Sequence, residues 1–251
     1  MKRVLVTGAA KGIGRAVAEA FADRGDELIL MDVDGEGLAE VVEALTARGA
    51  RVEAGLGSVA NNAHCEAIAA LALGRLGGLD ILSHNAGIQT YGTVETTDEQ
   101  LWDHTLNVNL KGAYLISKAA MPMLRASGGC VVHMTSVQGQ ASQAGVTAYS
   151  VSKHGLIGLV RSMAIDYAPY GVRVNGIAPG SVDTPMLRSS IALSENPDAV
   201  IAEINAMHPL GRSAEAREVA AAVVFLASDE ASFITGTILN VDGGLRAGLG
   251  G

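Results

Sequence analysis

Residues 4–14 read Val4-Leu5-Val6-Thr7-Gly8-Ala9-Ala10-Lys11-Gly12-Ile13-Gly14, and this stretch decides the fold of the chain. Its aliphatic start predicts a buried strand, and the amphipathic residues 14–24 that follow predict a helix. The glycines of the connecting turn let backbone amides and the helix N-terminus approach a phosphate group. Such a turn can occur without a ligand, but a strand before it and a helix after it are the context of a dinucleotide site. The stretch therefore predicts the first βα unit of a nucleotide-binding domain.

The alternation of strand and helix continues along the chain. Further strands are predicted at residues 27–32, 51–56, 79–83, 130–135, 172–177 and 237–241, and helices at residues 36–48, 62–75, 98–124, 148–168 and 214–227. The early strands are nearly continuous aliphatic runs, so we expect helices to cover both faces of the sheet. The pattern predicts one α/β domain over residues 1–251, with a doubly wound, Rossmann-like parallel sheet of about seven strands. Ligands of such sheets bind beyond the carboxyl ends of the strands.

Residues 180–212 break this rhythm. The segment carries Pro185, Pro197 and Pro209, and its sequence is typical of a loop-rich region. Because it follows the sixth predicted strand at the ligand-binding edge, we expect it to form a mobile lid over the substrate.

The composition argues against several classes of protein. A net charge of −8 and a pI of about 5.2, without a basic arm, disfavour nucleic acid as a partner and favour a small-molecule substrate. The apolar run after Met1 is too short for a secretory signal, and no stretch approaches the roughly 18 to 20 apolar residues of a membrane span. Cys65 and Cys130 are isolated thiols, which suits a reducing compartment. We expect a cytoplasmic protein without membrane contact and without a metal site.

Three side chains predict proton-transfer chemistry. Tyr149 and Lys153 are four residues apart in a predicted helix, so they lie on one face of it. A tyrosine with an ordinary pKa of about 10 needs a nearby positive charge to act as a base closer to neutral pH. The pair alone is a weak signal, because a core tyrosine and a surface lysine also occur at this spacing by chance. Ser136 lies thirteen residues before Tyr149 and just after a predicted strand, where functional residues of such a sheet are expected.

Together these motifs resemble the short-chain dehydrogenase/reductase family. The chain carries the TGxxxGxG glycine motif from Thr7 to Gly14, the Ser-Tyr-Lys arrangement, the sequence Asn85-Ala86-Gly87 after the fourth strand, and a PGxxxT segment from Pro179 to Thr184. The resemblance covers nearly the whole chain. It implies an oxidoreductase that transfers hydride between a nicotinamide dinucleotide and an alcohol or carbonyl compound.

The resemblance also implies the catalytic roles. Ser136 would hydrogen-bond the substrate oxygen, and Tyr149 would transfer the proton. Lys153 would bind the nicotinamide ribose and lower the pKa of the tyrosine. Asn109, rather than Asn107, would be the fourth member, which holds a water molecule of the proton relay.

Cofactor contacts follow from the same resemblance. The matching positions are Gly8, Lys11, Gly12, Ile13, Gly14, Asp32, Ser58, Val59, Asn85, Ala86, Gly87, Tyr149, Lys153, Pro179, Gly180, Val182 and Thr184. Of these, Asp32 ends the second predicted strand, where a carboxylate can bind ribose hydroxyls and repel a 2′-phosphate. This favours NAD over NADP, although Lys11 stands where relatives that use NADP often have a basic residue. His84 and Ser58 depart from the family pattern, and we interpret His84 as a structural histidine.

The substrate is indicated less directly. Gln138 and Gln143 lie in a short polar loop after Ser136, which suits a polyhydroxylated ligand, and Arg188 could pair with a carboxylate. The alternative is a solvated loop without a ligand. The segments around Tyr149 and residues 179–187 look like those of relatives that act on sugars, polyols or keto-sugar acids, which we take as the substrate class.

Two other functions stay open. The first is an NADPH-dependent reductase of 3-oxoacyl thioesters, against which Asp32 and the acidic composition count. The second is a dinucleotide-sensing regulator without catalysis, which would not need the serine, tyrosine, lysine and asparagine together. Since members of the resembled family usually assemble as homotetramers, we expect a homotetramer here.

Overall fold

The structure, a computed structural model, describes residues 1–248. In this part of the chain, seven parallel strands form one sheet: β1 (Arg3–Thr7), β2 (Glu27–Asp32), β3 (Val52–Leu56), β4 (Ile81–His84), β5 (Cys130–Met134), β6 (Arg173–Pro179) and β7 (Ile238–Val241). Their order across the sheet is β3-β2-β1-β4-β5-β6-β7. The predicted doubly wound, Rossmann-like fold is confirmed, while residues 249–251 of the predicted domain lie outside the described residues.

Helices cover both faces of the sheet because both faces are apolar. They are α1 (Gly12–Asp23), α2 (Gly35–Ala47), α3 (Asn62–Leu76), α4 (Glu99–Leu106), α5 (Gly112–Ser127), α6 (Thr147–Tyr167), α7 (Pro185–Ile191), α8 (Pro197–Met207) and α9 (Ala216–Ala227). Val4 and Val6 of β1 face α1 and α9, whereas Leu5 packs on the opposite side against α3, α5 and α6. These three side chains are fully buried, which explains the continuous aliphatic run of the strand.

A π turn joins α4 to α5. The predicted helix over residues 98–124 is present from Glu99 to Ser127, but Asn107–Lys111 in its middle form a π turn rather than α-helix. Such turns insert an additional residue into a helix and occur often at functional sites. Here the insertion brings Asn109 into the interior, where its side chain is fully buried.

The segment over residues 180–212 contains more regular structure than its sequence predicts. Pro185 and Pro197 are the first residues of α7 and α8. Proline is favoured at the first helical position, since that residue needs no intrahelical N–H bond and its φ is already helical. The prediction of a loop-rich region was therefore wrong where α7 and α8 lie. Two short strands pair with each other: Val182–Asp183 near the start of the segment, and Ala214–Glu215 just after its end.

His208 connects the end of α8 to the strand ends. Its Nδ1 lies 2.7 Å from the Ile204 carbonyl oxygen, and its Nε2 lies 3.1 Å from the Ser181 backbone nitrogen. Because the carbonyl can only accept and the amide can only donate, the imidazole carries its proton on Nδ1. The side chain is almost fully buried. His208 thus ties the end of α8 to the start of the segment over residues 180–212, directly after β6.

The helices of residues 1–248 include none whose length and apolar character would let it cross a membrane.

Candidate active site

The glycine turn after β1 forms a cradle for an anionic group. Gly8 and Gly12 have φ of 66° and 59°, a left-handed conformation that glycine adopts without strain. A Cβ at Gly14 would collide with the Gly8 carbonyl oxygen. Within the described residues, the N-cap residue Lys11 makes no side-chain cap to α1, so the first-turn amides can bind a ligand. Ile13 is partly buried and anchors this turn on the core.

Asp32 lies beside this cradle at the end of β2. One carboxylate oxygen accepts a hydrogen bond from the Ala10 amide at 2.9 Å, and the other accepts from the Asp34 amide at 3.0 Å. These bonds fix the carboxylate at the position where the sequence predicts a ribose contact. The Lys11 ammonium lies 3.3 Å from the Asp34 carboxylate. The Gly37 backbone and then Lys11 hold the pKa of Asp34 below its ordinary value, so this carboxylate is charged near neutral pH.

The segment after β6 faces the glycine turn. A Cβ on Gly12 would lie 3.4 Å from the Thr184 methyl carbon, so the two segments lie against each other. We call the edge of the sheet that they line, at the carboxyl ends of the strands, the cleft. Pro179 ends β6, the Gly180 amide donates to the Val241 carbonyl oxygen at 3.1 Å, and Val182 is buried. The predicted contacts at this strand end therefore line one side of the same cleft.

Ser58 and Val59 lie just after β3, the edge strand beside β2. The Ser58 hydroxyl accepts from the Ala60 amide at 3.2 Å, and its own amide donates to His64 Nδ1 at 3.1 Å. Val59 is buried and leaves no room for a side chain at Gly112, the first residue of α5. The Ser58 side chain stabilises a local turn, and Val59 supports the helix beside the cleft.

Residues 85–87 form the floor of the cleft. The Thr7 hydroxyl accepts hydrogen bonds from the amides of Asn85 and Ala86, at 3.2 Å and 3.3 Å. A Cβ on Gly8 would lie 2.8 Å from the Ala86 nitrogen, so the glycine turn rests directly on this segment. Gly87 is next to the chemical centre, because a Cβ there would lie 3.3 Å from Asn109 Oδ1 and 3.5 Å from Lys153 Nζ.

Asn109 is held through both ends of its amide. Its Oδ1 accepts from the Ile88 amide, and its Nδ2 donates to the Ile88 carbonyl oxygen, each at 2.8 Å. A further bond runs from Nδ2 to the Ser152 hydroxyl on α6 at 3.1 Å. The side chain thus joins the π turn, the floor of the cleft and α6, which explains why a polar residue is fully buried here.

The Lys153 side chain places its ammonium group in the protein interior. Its ammonium nitrogen is 2.8 Å from the Met134 carbonyl oxygen at the end of β5 and 5.6 Å from the centre of the Tyr149 ring. The side chain is almost fully buried. Burial lowers the pKa of Lys153 to about 8, because the charged form loses its hydration.

Tyr149 is half-buried beside Ser136. Burial raises the pKa of the phenol above its ordinary value, the Ser136 side chain lowers it, and the neighbouring Tyr91 raises it. Burial therefore dominates the pKa of Tyr149 in the protein alone, and the lowering by Lys153 that the resemblance implies is not found there. Tyr91 was not predicted from the sequence, where it is one aromatic residue in an irregular segment. Its hydroxyl lies 2.5 Å from the Ser190 hydroxyl of α7, so it connects the cleft to the segment over residues 180–212.

The polar loop after β5 surrounds Ser136. The Ser136 hydroxyl accepts from the Gln138 amide at 3.1 Å, so its own proton remains to be donated, either to Tyr149 or to a substrate oxygen. The Gln138 side-chain amide donates to Gln143 at 2.8 Å, so these two predicted substrate residues lie together. Arg188 is different. Its guanidinium makes a bidentate pair with Asp183 at 2.7 and 2.8 Å, so a substrate carboxylate would compete with a partner in the chain.

The site brings a proton donor, a buried cation and an anion cradle to one edge of the sheet. Within residues 1–248, no three His, Cys, Asp or Glu side chains are grouped so that they could hold a metal ion. The residues present fit a dinucleotide, since the amides of α1 meet the charge of a pyrophosphate and Asp32 meets a hydroxylated ribose.

Comparisons with known proteins agree with this geometry. A protein-family model described as enoyl-(acyl carrier protein) reductase matches residues 8–246. A Thermotoga maritima protein named as an uncharacterized oxidoreductase is 40% identical over 249 residues, 98% of each protein. The levodione reductase of Leifsonia aquatica is 37% identical over 252 residues, covering 97% of this chain and 94% of that protein. The ligand-free aldohexose dehydrogenase of Thermoplasma acidophilum superposes with a TM-score of 0.90 at 38% identity, over 98% of this chain and 94% of that one.

Proposed function

This chain belongs to the short-chain dehydrogenase/reductase family, and we propose that it is an NAD-dependent oxidoreductase acting on a polyhydroxylated secondary alcohol or its ketone. The observation that best supports this is the meeting of four side chains at the floor of the cleft. Lys153 and Asn109 both adjoin Gly87, while Tyr149 lies beside both Lys153 and Ser136. A dinucleotide-binding regulator without catalysis has no need for this arrangement.

Ser136 and Tyr149 handle the substrate oxygen. The Ser136 O–H donates to that oxygen, and the Tyr149 hydroxyl exchanges a proton with it. The bound nicotinamide ring supplies the hydride acceptor or donor and, when oxidised, a positive charge that favours the tyrosinate. Lys153 holds its ammonium close to the phenol, and Asn109 fixes the backbone of Ile88 beside it. Lys153 and Asn109 thus keep the proton-transfer geometry while the lysine contributes charge.

The cofactor preference rests on two carboxylates. Asp32 faces the position of the adenosine ribose and would repel a 2′-phosphate. Asp34 pairs with Lys11, the basic residue that could otherwise attract that phosphate. Both effects favour NAD over NADP.

The substrate class rests on the side chains around the cleft. Gln138 and Gln143 present amides next to Ser136, and Tyr91, a neighbour of Tyr149, presents a hydroxyl together with Ser190. Such groups suit a sugar, a polyol or a keto-sugar acid. The names of the aldohexose dehydrogenase and of levodione reductase indicate that relatives act on hydroxylated or ketone-bearing compounds. Residues 180–212 form the lid over this substrate.

The reaction is tested by following NADH absorbance at 340 nm with sugars, polyols, hydroxy acids and simple alcohols. The expected result is NAD-linked turnover of a polyhydroxylated compound that Tyr149→Phe abolishes. Turnover of a 3-oxoacyl thioester with NADPH alone would establish the second candidate, towards which the acyl-carrier-protein description of the matching family model points. Cofactor binding without turnover of any substrate would instead indicate a regulator.

The cofactor preference is tested by Asp34→Asn, which keeps a side-chain cap for α2 but removes the charge that holds Lys11. We expect the ratio of kcat/KM for NADP to that for NAD to rise about fivefold or more. In the Lys11→Ala background the same substitution should leave the ratio unchanged. An equal ratio in wild type and Asp34→Asn would contradict the role of this pair.

The assembly that we propose is a cytoplasmic homotetramer. Exposed apolar side chains on α5 and α6 support it, since Tyr114, Val151 and Ile165 are 49%, 43% and 76% exposed. Light scattering after size-exclusion chromatography should give four times the 25.7 kDa of the chain. A monomer at micromolar concentration would contradict the proposal, and Ile165→Arg should reduce the order of assembly.

A further inference from the structure

His84 occupies a position in the sheet interior where its hydrogen bonds can be deduced. It ends β4 and pairs in register with Thr7 of β1 on one side and with His133 of β5 on the other. The imidazole is almost fully buried. Its Nδ1 lies 2.8 Å from the Thr7 hydroxyl oxygen. Either atom could in principle donate in this bond, so the proton has to be located from the other partners of the hydroxyl.

The other partners of Thr7 decide the direction of this bond. A hydroxyl has one proton to donate and two lone pairs that accept. The amides of Asn85 and Ala86 both donate to Thr7 Oγ1, so both lone pairs are in use. The hydroxyl proton must therefore go to His84 Nδ1, which has to be unprotonated. A neutral His84 then carries its proton on Nε2.

The surroundings of His84 favour this neutral form. Burial lowers the pKa of His84 well below its ordinary value, and the neighbouring His133 and Lys153 act in the same direction. The rings of His84 and His133 are 5.4 Å apart and nearly perpendicular, an arrangement that two neutral aromatic rings favour. Among the described residues, His84 Nε2 has no hydrogen-bond partner. Leaving that buried N–H unpaired costs free energy, which a histidine kept only for packing would not justify.

We propose that His84 is a positioning residue: its Nδ1 orients the Thr7 hydroxyl, which in turn holds residues 85–87 against the catalytic Lys153 and Asn109. The path is short. Thr7 anchors the Ala86 amide, Gly8 rests on that amide, and the next residue, Gly87, adjoins both catalytic side chains. Without an acceptor at residue 84, the Thr7 hydroxyl could rotate and one of the two amides would lose its partner. This inference rests on the proposed function only for the roles of Lys153 and Asn109.

Neutron crystallography of the deuterated wild-type protein tests the hydrogen-bond direction without any activity measurement. We expect deuterium on Thr7 Oγ1 pointing at His84 and on His84 Nε2, with none on Nδ1. Deuterium on Nδ1 would overturn the proposal, whatever reaction the enzyme performs.

Kinetics and binding test the consequence for the site. Asparagine places Oδ1 where histidine has Nδ1, so His84→Asn should keep the NAD dissociation constant and KM within about twofold of wild type. His84→Leu lacks the acceptor and should raise both about tenfold. In the Thr7→Val background the two substitutions should give equal dissociation constants and equal KM values. Valine has no hydroxyl for residue 84 to orient.

Equal effects of His84→Asn and His84→Leu in the wild-type background would refute a positioning role and leave only packing. If wild type binds NAD but turns over no substrate, the proposed function fails while this inference stands. If wild type binds neither NAD nor NADP, both fail. If His84→Leu does not fold, the neutron result and the comparison of His84→Asn with wild type still test whether His84 is a positioning residue.

Discussion

The buried Lys153 lowers the stability of the folded chain. Its folded pKa of about 8 lies below the value of 10.5 expected in an unfolded chain. At about 1.36 kcal/mol per unit, the charged ammonium costs roughly 3 kcal/mol of stability at neutral pH. The bond to the Met134 carbonyl oxygen offsets only part of the lost hydration, because the pKa would otherwise not be lowered.

Replacing Lys153 by methionine should therefore stabilise the protein while abolishing catalysis. At pH 7 we expect an increase of about 1–3 kcal/mol in the free energy of unfolding, which is roughly 2–4 °C in Tm per kcal/mol. Between pH 8 and 10.5 the unfolded wild type binds more protons than the folded form, so its stability rises with pH and the gap to Lys153→Met closes. Urea unfolding at pH 7 and pH 10 measures this.

Tyr149→Phe is the matched control, because it removes the chemistry and keeps the buried ammonium. It should be inactive without the stabilisation seen in Lys153→Met. A Lys153→Met protein that is less stable than wild type at pH 7 would show that the lysine contributes more through its hydrogen bond than it costs by burial.

Among the helices, α7 and α8 are the elements whose movement the proposed lid requires. His208 limits that movement, because it ties the end of α8 to Ser181. A Cβ on Gly180 would lie 2.6 Å from its Nε2, so the ring also packs tightly on the strand end. We expect the lid to pivot about His208 rather than to detach there.

The comparison of His208→Leu with His208→Gln tests this pivot. Leucine leaves the Ser181 amide without its acceptor, which should cost about 1–3 kcal/mol of stability. Since Ser181 directly precedes Val182, the KM for the cofactor should rise as well. Glutamine can present an oxygen near the Nε2 position, so it should recover most of both effects. Thermal unfolding and steady-state kinetics give the two readouts; equal losses in both variants would argue against the hydrogen bond.

Strands and helices with a regular hydrophobic pattern could be predicted from the sequence. Features that depend on contacts between distant segments of the chain could not. Continuous aliphatic runs such as Val4 to Val6 predict buried parallel strands, which the structure has. The π turn leaves no sign in the sequence, because residues 107–111 fit an α-helix equally well. The start of α7 was missed because proline is ambiguous between ending a helix and beginning one. The pairing of Lys11 with Asp34 joins turns after two different strands, so no local pattern could reveal it.

For the molecule as a whole, a buried histidine pair links stability to acid pH. His133 is fully buried and its pKa is lowered to about 3, mainly by burial and further by Lys153. Folding therefore requires the neutral ring, while the unfolded chain takes up a proton once the pH falls below the ordinary value of 6.5. Stability is lost as the pH falls from about 6.5 towards 3, by roughly 1.4 kcal/mol per pH unit from this residue alone.

His133→Asn should flatten this dependence. Between pH 6.5 and 4.5 the variant should lose about 2–3 kcal/mol less stability than wild type. The matched control is His104→Asn on the exposed side of α4, which should follow the wild-type curve. Urea unfolding at several pH values measures all three proteins. A wild-type slope in His133→Asn would mean that other groups govern the acid sensitivity.

With the proposed role of Asn109, the π turn makes the number of residues between α4 and α5 necessary for activity. Its additional residue sets the helix before it and the helix after it out of phase by about 100°, the rotation of one residue. α4 packs on α6 and α5 packs on the sheet, so neither end of the helix is free to turn. Deleting one codon within residues 107–111 would restore a regular helix and carry the Asn109 amide away from Ile88. A single-residue deletion at this place should therefore reduce activity more than most substitutions do. A gene with such a deletion should encode an inactive protein.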